Sequence, residues 1–150
     1  MKKFKFSLDS VLSYKQQVLE SLQGEHAVIL AQGREQEGVL ERTWQDYRDC
    51  DAEYRQRKAE GITITDAMVY QNGLRVLERD IQRESDRLEE LKKQEEAKRQ
   101  EVVDAKIDTS SIEKLKEKKL DLYNKEAAKN EEVLIDEFVS SARARAGIGA

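Results

Sequence analysis

The side chains that could do chemistry are few and far apart in this sequence. His26 is the single histidine and Cys50 the single cysteine. A zinc site needs several converging ligands, and a cysteine nucleophile needs a base within hydrogen-bonding reach. No second histidine or cysteine is placed to help either residue. We therefore interpret His26 as a polar residue beside a helical core and Cys50 as a small core residue.

The acidic residues and the glycines give no sign of a catalytic site either. The sequence has 31 Asp and Glu residues against 27 Lys and Arg residues, a net charge of −4, with both signs interleaved. Such charges are typical of solvated helix faces, which offer no cleft that would desolvate a carboxylate. The seven glycines match neither a phosphate-binding loop nor a dinucleotide fingerprint. We expect no enzyme activity, no cofactor, no metal and no nucleic-acid partner.

The composition favours long, thin helical structure over a globule. Charged residues make up 39% of the 150 residues and aromatic residues 6%, and proline is absent. Average usage would give roughly seven prolines. A single cysteine fits a reducing compartment, and no apolar run approaches the roughly 20 residues of a membrane span. A soluble cytoplasmic protein without a signal peptide is expected.

Two heptad patterns run along the chain, one on either side of a single break. The first consists of positions 12, 19, 26, 33, 40, 47 and 54 with positions 8, 15, 22, 29, 36, 43 and 50. The second consists of positions 67, 74, 81, 88, 95, 102 and 109 with positions 70, 77, 84, 91, 98, 105 and 112. Each pattern predicts a helix that packs one face against a partner helix. When the chain is folded at the break, one register fits both patterns, with Tyr54 facing Tyr70 and Leu12 facing Ile112.

The break at 60–65 predicts the tip of a helical hairpin. Gly61 suits the left-handed conformation that ends a helix, because it has no Cβ to clash. Thr65 is the predicted cap of the next helix. Ile64 and Val69 then occupy the positions of a hydrophobic staple across that cap.

The predicted fold class is all-α: a long antiparallel two-helix coiled-coil hairpin whose second helix is longer and overhangs the first. The predicted single domain covers 1–150, with helix 1 at about 7–59, a turn at about 60–65, helix 2 at about 66–143 and a disordered tail at 144–150. The tail is predicted from its Ala- and Gly-rich composition and lack of a heptad. A capping-box spacing allows a kink near 108–111.

Two clusters of side chains are candidate surfaces for partner proteins. The basic cluster, at the end of the hairpin that holds the N terminus, consists of Phe4, Phe6, Lys114, Lys116, Lys118 and Lys119. The aromatic cluster, toward the tip, consists of Trp44, Tyr47, Tyr54, Tyr70 and Leu74. Concentrated positive charge suits an acidic partner, and an exposed aromatic suits an anchor for a protein. Ordinary solvated helix surface and residues that seal the seam are the alternative interpretations.

Three stretches of this sequence resemble the FliJ family, the small coiled-coil proteins of the flagellar type III export apparatus. They are FKFSLDSVLSYK at 4–15, YQNGLRVLERDI at 70–81, and IEKLKEKK at 112–119 followed by Tyr123 and by IDEF at 135–138. The resemblance covers nearly the whole chain in the right order. The middle of helix 1, with its three glycines, carries no signature of the family.

The resemblance implies a non-enzymatic, stalk-like cytoplasmic protein of bacterial flagellum biogenesis, chemotaxis and motility. It implies peripheral recruitment to the export apparatus at the inner membrane. The implied partners are the hexameric export ATPase FliI, whose ring assembly such proteins promote, the export-gate protein FlhA, and export chaperones. On this view the basic cluster meets the ATPase and the aromatic cluster meets the gate.

Two alternatives stay open beside this interpretation. One is the stalk protein of a virulence-type secretion system, and the other is a generic cytoplasmic scaffold coiled coil. A stalk is expected to be a monomeric hairpin, whereas a scaffold is expected to be a parallel homodimer.

Overall fold

The structure, a computed structural model, describes residues 2–148, and these form two helices and no strand. Helix α1 spans Asp9–Glu60 and helix α2 spans Ile64–Ile148. The absence of proline and the abundance of Ala, Leu, Glu, Lys, Gln and Arg allow helices of this length. The predicted all-α class and the longer second helix are confirmed.

Helix α2 continues further than the sequence suggested. The tail at 144–150 was expected to be disordered, but α2 is helical through Ile148, and residues 149–150 lie outside the described residues. It is also unbroken at 108–111. Loss of the heptad removes a packing partner, yet each added residue still gains a backbone hydrogen bond from the preceding turn. The alanines and arginines near this end have high helix propensity, which favours that continuation.

A three-residue turn at 61–63 joins the helices. Gly61 has a φ of +102°, which glycine adopts at little cost because it has no Cβ. This conformation confirms the predicted role of Gly61 in ending α1. Among the described residues, Gly61 alone has a positive φ.

Thr63, not Thr65, caps α2. The Thr63 Oγ1 atom accepts a hydrogen bond from the Asp66 backbone N–H at 3.1 Å, which is the contact of an N-cap residue with the third residue of its helix. Helix α2 begins at Ile64, two residues earlier than a cap at Thr65 would allow, so the predicted staple is wrong. The side chains of Ile64 and Val69 are 82% and 67% exposed.

The inward faces of both helices are the predicted ones. Every position of the four heptad series is buried or half-buried, whereas most positions between them are exposed. Leu12, Tyr54, Ile81 and Leu91 are the series members with the deepest apolar burial. The heptad pattern therefore assigned the packing faces correctly.

The chain divides into two units, which are described separately. Unit 1 comprises Met1–Leu19 and Asp104–Ala150, and unit 2 comprises Glu20–Val103. In unit 1 the buried Thr109 hydroxyl donates to the Ala105 carbonyl oxygen at 2.8 Å. This bond satisfies a polar group that would otherwise weaken an apolar layer. In unit 2 the rings of Tyr54 and Tyr70 stack with centroids 5.3 Å apart, as the predicted register requires.

Candidate functional site

The basic cluster forms around Phe6, in unit 1. The Phe6 ring is buried, and the Nζ atoms of Lys116 and Lys119 lie 6.0 and 5.9 Å from its centroid. The Lys116 ammonium also pairs with the Asp9 carboxylate at 2.8 Å. Cations over a ring are attracted by its negative face. Two of the four predicted lysines thus hold the segment before α1 against α2.

Tyr123 completes this cluster, although heptad reasoning did not place it there. Its ring lies 5.5 Å from that of Phe4, centroid to centroid, at an interplanar angle of 53°. The Tyr123 hydroxyl donates a hydrogen bond to the Lys2 carbonyl oxygen at 2.7 Å. The only signal in the sequence was the position of Tyr123 within the family-like stretch. Residues 2–6 precede the helix, so no periodicity says which part of α2 they meet.

The remaining two lysines of the basic cluster have a different role. Lys114 and Lys118 lie one turn apart on α2, and both are exposed. Lys114 borders a shallow groove lined by Leu19 and Ile107. Lys116 and Lys119 therefore lie over the Phe6 ring, although Lys119 is also exposed, whereas Lys114 and Lys118 present their charge to solvent alone.

Trp44 is the exposed member of the aromatic cluster, in unit 2. Its ring is 40% exposed and meets the Tyr47 ring edge to face, with centroids 5.9 Å apart. The Tyr47 hydroxyl donates to the Glu78 carboxylate at 3.4 Å. Partial burial and this carboxylate raise the pKa of the Tyr47 hydroxyl. Leu74 is half-buried in the seam. The indole ring of Trp44 therefore provides the largest accessible surface of the aromatic cluster.

Tyr54 and Tyr70 are structural rather than exposed. The Lys58 Nζ atom lies 4.1 Å from the Tyr54 ring centroid, and the Arg57 guanidinium lies 5.8 Å from that of Tyr70. The Tyr70 hydroxyl donates to the Glu53 carboxylate at 2.9 Å. Burial and this hydrogen bond raise the pKa of the Tyr70 hydroxyl. The stacked pair is covered by cations and closes the seam near the turn.

His26 lies where the sequence placed it, at a half-buried seam position of unit 2. Its Nε2 atom is 2.8 Å from the Glu95 carboxylate. One turn along α2, the Lys98 ammonium bonds Glu25 at 2.9 Å and Glu101 at 2.8 Å. These contacts satisfy polar groups at half-buried positions of the seam. Among residues 2–148, no group of three or more His, Cys, Asp or Glu is arranged to hold a metal ion.

A hydrogen bond to Glu84 in unit 2 predicts that the stability of the protein depends on pH. The Gln36 amide donates to the Glu84 carboxylate at 2.6 Å; this bond, assisted by Arg83, holds the pKa of Glu84 below its usual range. A carboxyl whose pKa is lowered by folding adds stability above its unfolded pKa, about 4.3. That stability is lost as pH falls through the folded pKa.

We expect Gln36→Ala to raise the pKa of Glu84 toward the ordinary value, as measured by NMR titration of the side-chain carboxyl. Gln45→Ala, which removes the exposed amide bonded to Asp49 at 2.8 Å, is the control and should leave Glu84 unchanged. An unaltered pKa in Gln36→Ala would contradict the assigned cause.

Comparison with known proteins agrees with the resemblance found in the sequence. Residues 4–147 match the family model described as flagellar FliJ protein. No curated protein and no solved structure matches the chain. No helix in the described part of the chain is long and apolar enough to cross a membrane. Because the match spans nearly the whole sequence, including Phe6 and Trp44, the chain belongs to the FliJ family of flagellar export proteins.

Proposed function

We propose that this protein is a stalk-like, non-enzymatic component of the flagellar type III export apparatus that links the hexameric export ATPase FliI to the export gate FlhA. The observation that supports this role is the family match over residues 4–147. On the same ground we propose that it promotes assembly of the ATPase ring and binds export chaperones. The cytoplasm is its proposed location, with peripheral recruitment to the inner membrane. Because the matched family is flagellar, we favour this role over a virulence-type stalk or a generic scaffold.

The basic cluster is the proposed contact for the ATPase. Lys114 and Lys118 direct two positive charges to solvent, while Lys116 and Lys119 keep Phe6 in place. Exposed charges accelerate association and are screened by salt. Contacts of this kind are weak enough to be released, which suits a partner that turns over.

Trp44 is the proposed contact for the gate. Exposed tryptophans are enriched among the residues that dominate binding energy. Tyr47 packs against the Trp44 ring and is itself held by Glu78. The indole is thereby ordered before binding, which lowers the entropy cost of association.

The test of the ATPase contact is the double variant Lys114→Glu/Lys118→Glu. We expect weaker binding to the ATPase and weaker stimulation of its activity, with the loss diminishing as ionic strength rises. The variant leaves the Lys116–Asp9 pair and the Phe6 contacts intact. Arg87→Glu/Lys92→Glu, at exposed positions of unit 2, makes the same change in net charge and should retain both activities.

The companion variant Trp44→Ala should spare ATPase stimulation and weaken binding to the gate. Truncation of an aromatic anchor costs about 2 kcal/mol or more, roughly a thirtyfold loss of affinity. Tyr14→Ala removes an exposed aromatic from unit 1 and serves as the control for gate binding. If the Lys114/Lys118 and Trp44 variants lose the same partner to the same degree, the proposed division between the two clusters is wrong.

A further inference from the structure

The N-terminal strap, which we define as residues 2–8, belongs to unit 1 and is neither helix nor strand. Its Phe6 side chain is 7% exposed, and the Lys116 and Lys119 Nζ atoms lie 6.0 and 5.9 Å from the ring centroid. Side-chain contacts with α2, and not a backbone ladder, therefore hold the strap in place.

A second contact fixes the beginning of the strap. The Tyr123 ring lies 5.5 Å from the Phe4 ring, centroid to centroid, and the Tyr123 hydroxyl donates to the Lys2 carbonyl oxygen at 2.7 Å. Both rings are half-buried. Because these contacts lie beyond the heptad seam, the strap can leave α2 while the two helices stay packed.

Asp9 and Phe6 give Lys116 the contacts that a binding partner would otherwise supply. The Asp9 backbone N–H donates to the Phe6 carbonyl oxygen at 3.1 Å, and this tight turn sets the carboxylate near the ring. The Asp9 carboxylate pairs with the Lys116 ammonium at 2.8 Å, and the Phe6 ring faces the same ammonium. A carboxylate and an aromatic face both attract an ammonium ion. The strap and the first residue of α1 therefore occupy Lys116 from within the chain.

Closing the strap also brings like charges together. Lys5 and Lys116 line one hollow between the strap and α2. Exposed charges of one sign repel one another over a distance of about 8 Å in physiological salt. Lysines outnumber carboxylates in the two stretches that meet: Lys2, Lys3, Lys5, Lys114, Lys116, Lys118 and Lys119 against Asp9, Glu113 and Glu117. An acidic segment in place of the strap would replace this repulsion with attraction.

We propose that the strap is an autoinhibitory occupant of the basic cluster, which an acidic protein segment with an aromatic side chain displaces. Such a segment supplies the carboxylate and the ring that Asp9 and Phe6 supply in the closed form, without the lysines of the strap. Displacement frees Lys116 to act with Lys114 and Lys118, which are already exposed. Only the identity of the partner as the export ATPase rests on the proposed function.

A protein segment suits this surface better than an anionic membrane. Glu113 and Glu117 stand among the lysines of α2, and a uniformly negative lipid surface would be repelled by both. A peptide can instead place single carboxylates beside single lysines.

The test follows nuclear Overhauser effects between the ring protons of Phe4 and Tyr123 in the full chain. The probe is a poly-glutamate peptide that carries one phenylalanine, and a poly-lysine peptide with one phenylalanine is its control. We expect the glutamate peptide to abolish the contact between the two rings and the lysine peptide to leave it intact. Vesicles of anionic phospholipid should also leave it intact.

Phe6→Ala should bind the glutamate peptide about tenfold more tightly than the unaltered chain. A strap that is closed about nine-tenths of the time leaves the cluster accessible for the remaining tenth, and opening the strap removes that reduction in affinity. Helicity should be retained, because Phe6 precedes α1. Tyr14→Ala, which truncates an exposed aromatic of unit 1, is the matched control and should change neither the ring contact nor the affinity.

Equal or weaker binding of the glutamate peptide to Phe6→Ala overturns the proposal. So does a peptide that binds while the contact between Phe4 and Tyr123 persists, or a strap that anionic vesicles open and the glutamate peptide does not. None of these measurements uses the ATPase. A Phe6→Ala chain that binds the peptide more tightly but the ATPase no better would therefore support the autoinhibitory strap and contradict the ATPase as its partner.

Discussion

Leu91→Ala is expected to lower the free energy of unfolding by about 3 kcal/mol, within the range observed for buried leucines. Leu91 is 2% exposed, the lowest exposure among the described apolar core residues. Its truncation removes buried methyl groups and leaves a cavity. Across the seam stands Gly33, beside Ile29 and Leu30, and a glycine has no side chain that could fill the space.

The measurement is urea unfolding followed by helical circular dichroism, with Val76→Ala as the control. The Val76 side chain is 53% exposed, and its truncation should change stability by no more than about 0.5 kcal/mol. Equal effects of the two truncations would contradict the expectation that packing around Leu91 stabilises unit 2.

Gly61→Ala is expected to destabilise the protein by about 2 kcal/mol. The φ of +102° at Gly61 is a conformation in which an L side chain is strained, and such strain costs about 1–3 kcal/mol. An added methyl group meets no other atom within 4 Å at this position. The expected loss is therefore one of backbone conformation and not of crowding.

Gly33→Ala is the matched control, because the same chemical change should have the opposite sign. Gly33 lies inside α1, and a Cβ placed there also meets nothing within 4 Å. Alanine favours a helix over glycine by about 1 kcal/mol. Both variants are compared in the same unfolding experiment. A stabilising Gly61→Ala, or a destabilising Gly33→Ala, would contradict this account of the two glycines.

We expect partner binding through the exposed lysines and partner binding through the exposed tryptophan to differ in their dependence on salt. Lys114 and Lys118 present charge alone, so their contribution should depend on salt. Trp44 presents an apolar ring, whose contribution should depend on the area that a partner covers. The salt dependence of each variant's binding therefore distinguishes the two proposed contacts even when both affinities fall.

The sequence by itself determined which faces of the helices pack and in which register. The heptads indicated which face of each helix packs, and the position of the break at 60–65 then determined the pairing of Tyr54 with Tyr70. The role of Gly61 in ending α1 was equally predictable, because the left-handed conformation at a helix end strongly favours glycine. Family membership also lay in the sequence, in motifs that the family match over 4–147 confirms.

Only the tertiary structure decided what happens outside the periodic pattern. Thr63 and Thr65 carry the same local capping signal, and the choice of Thr63 depends on where the first turn of α2 forms. Phe6 and Tyr123 join one cluster because the segment before α1 folds back on α2. Ring–cation and ring–ring contacts depend on that docked geometry, and a heptad describes only residues that are already helical.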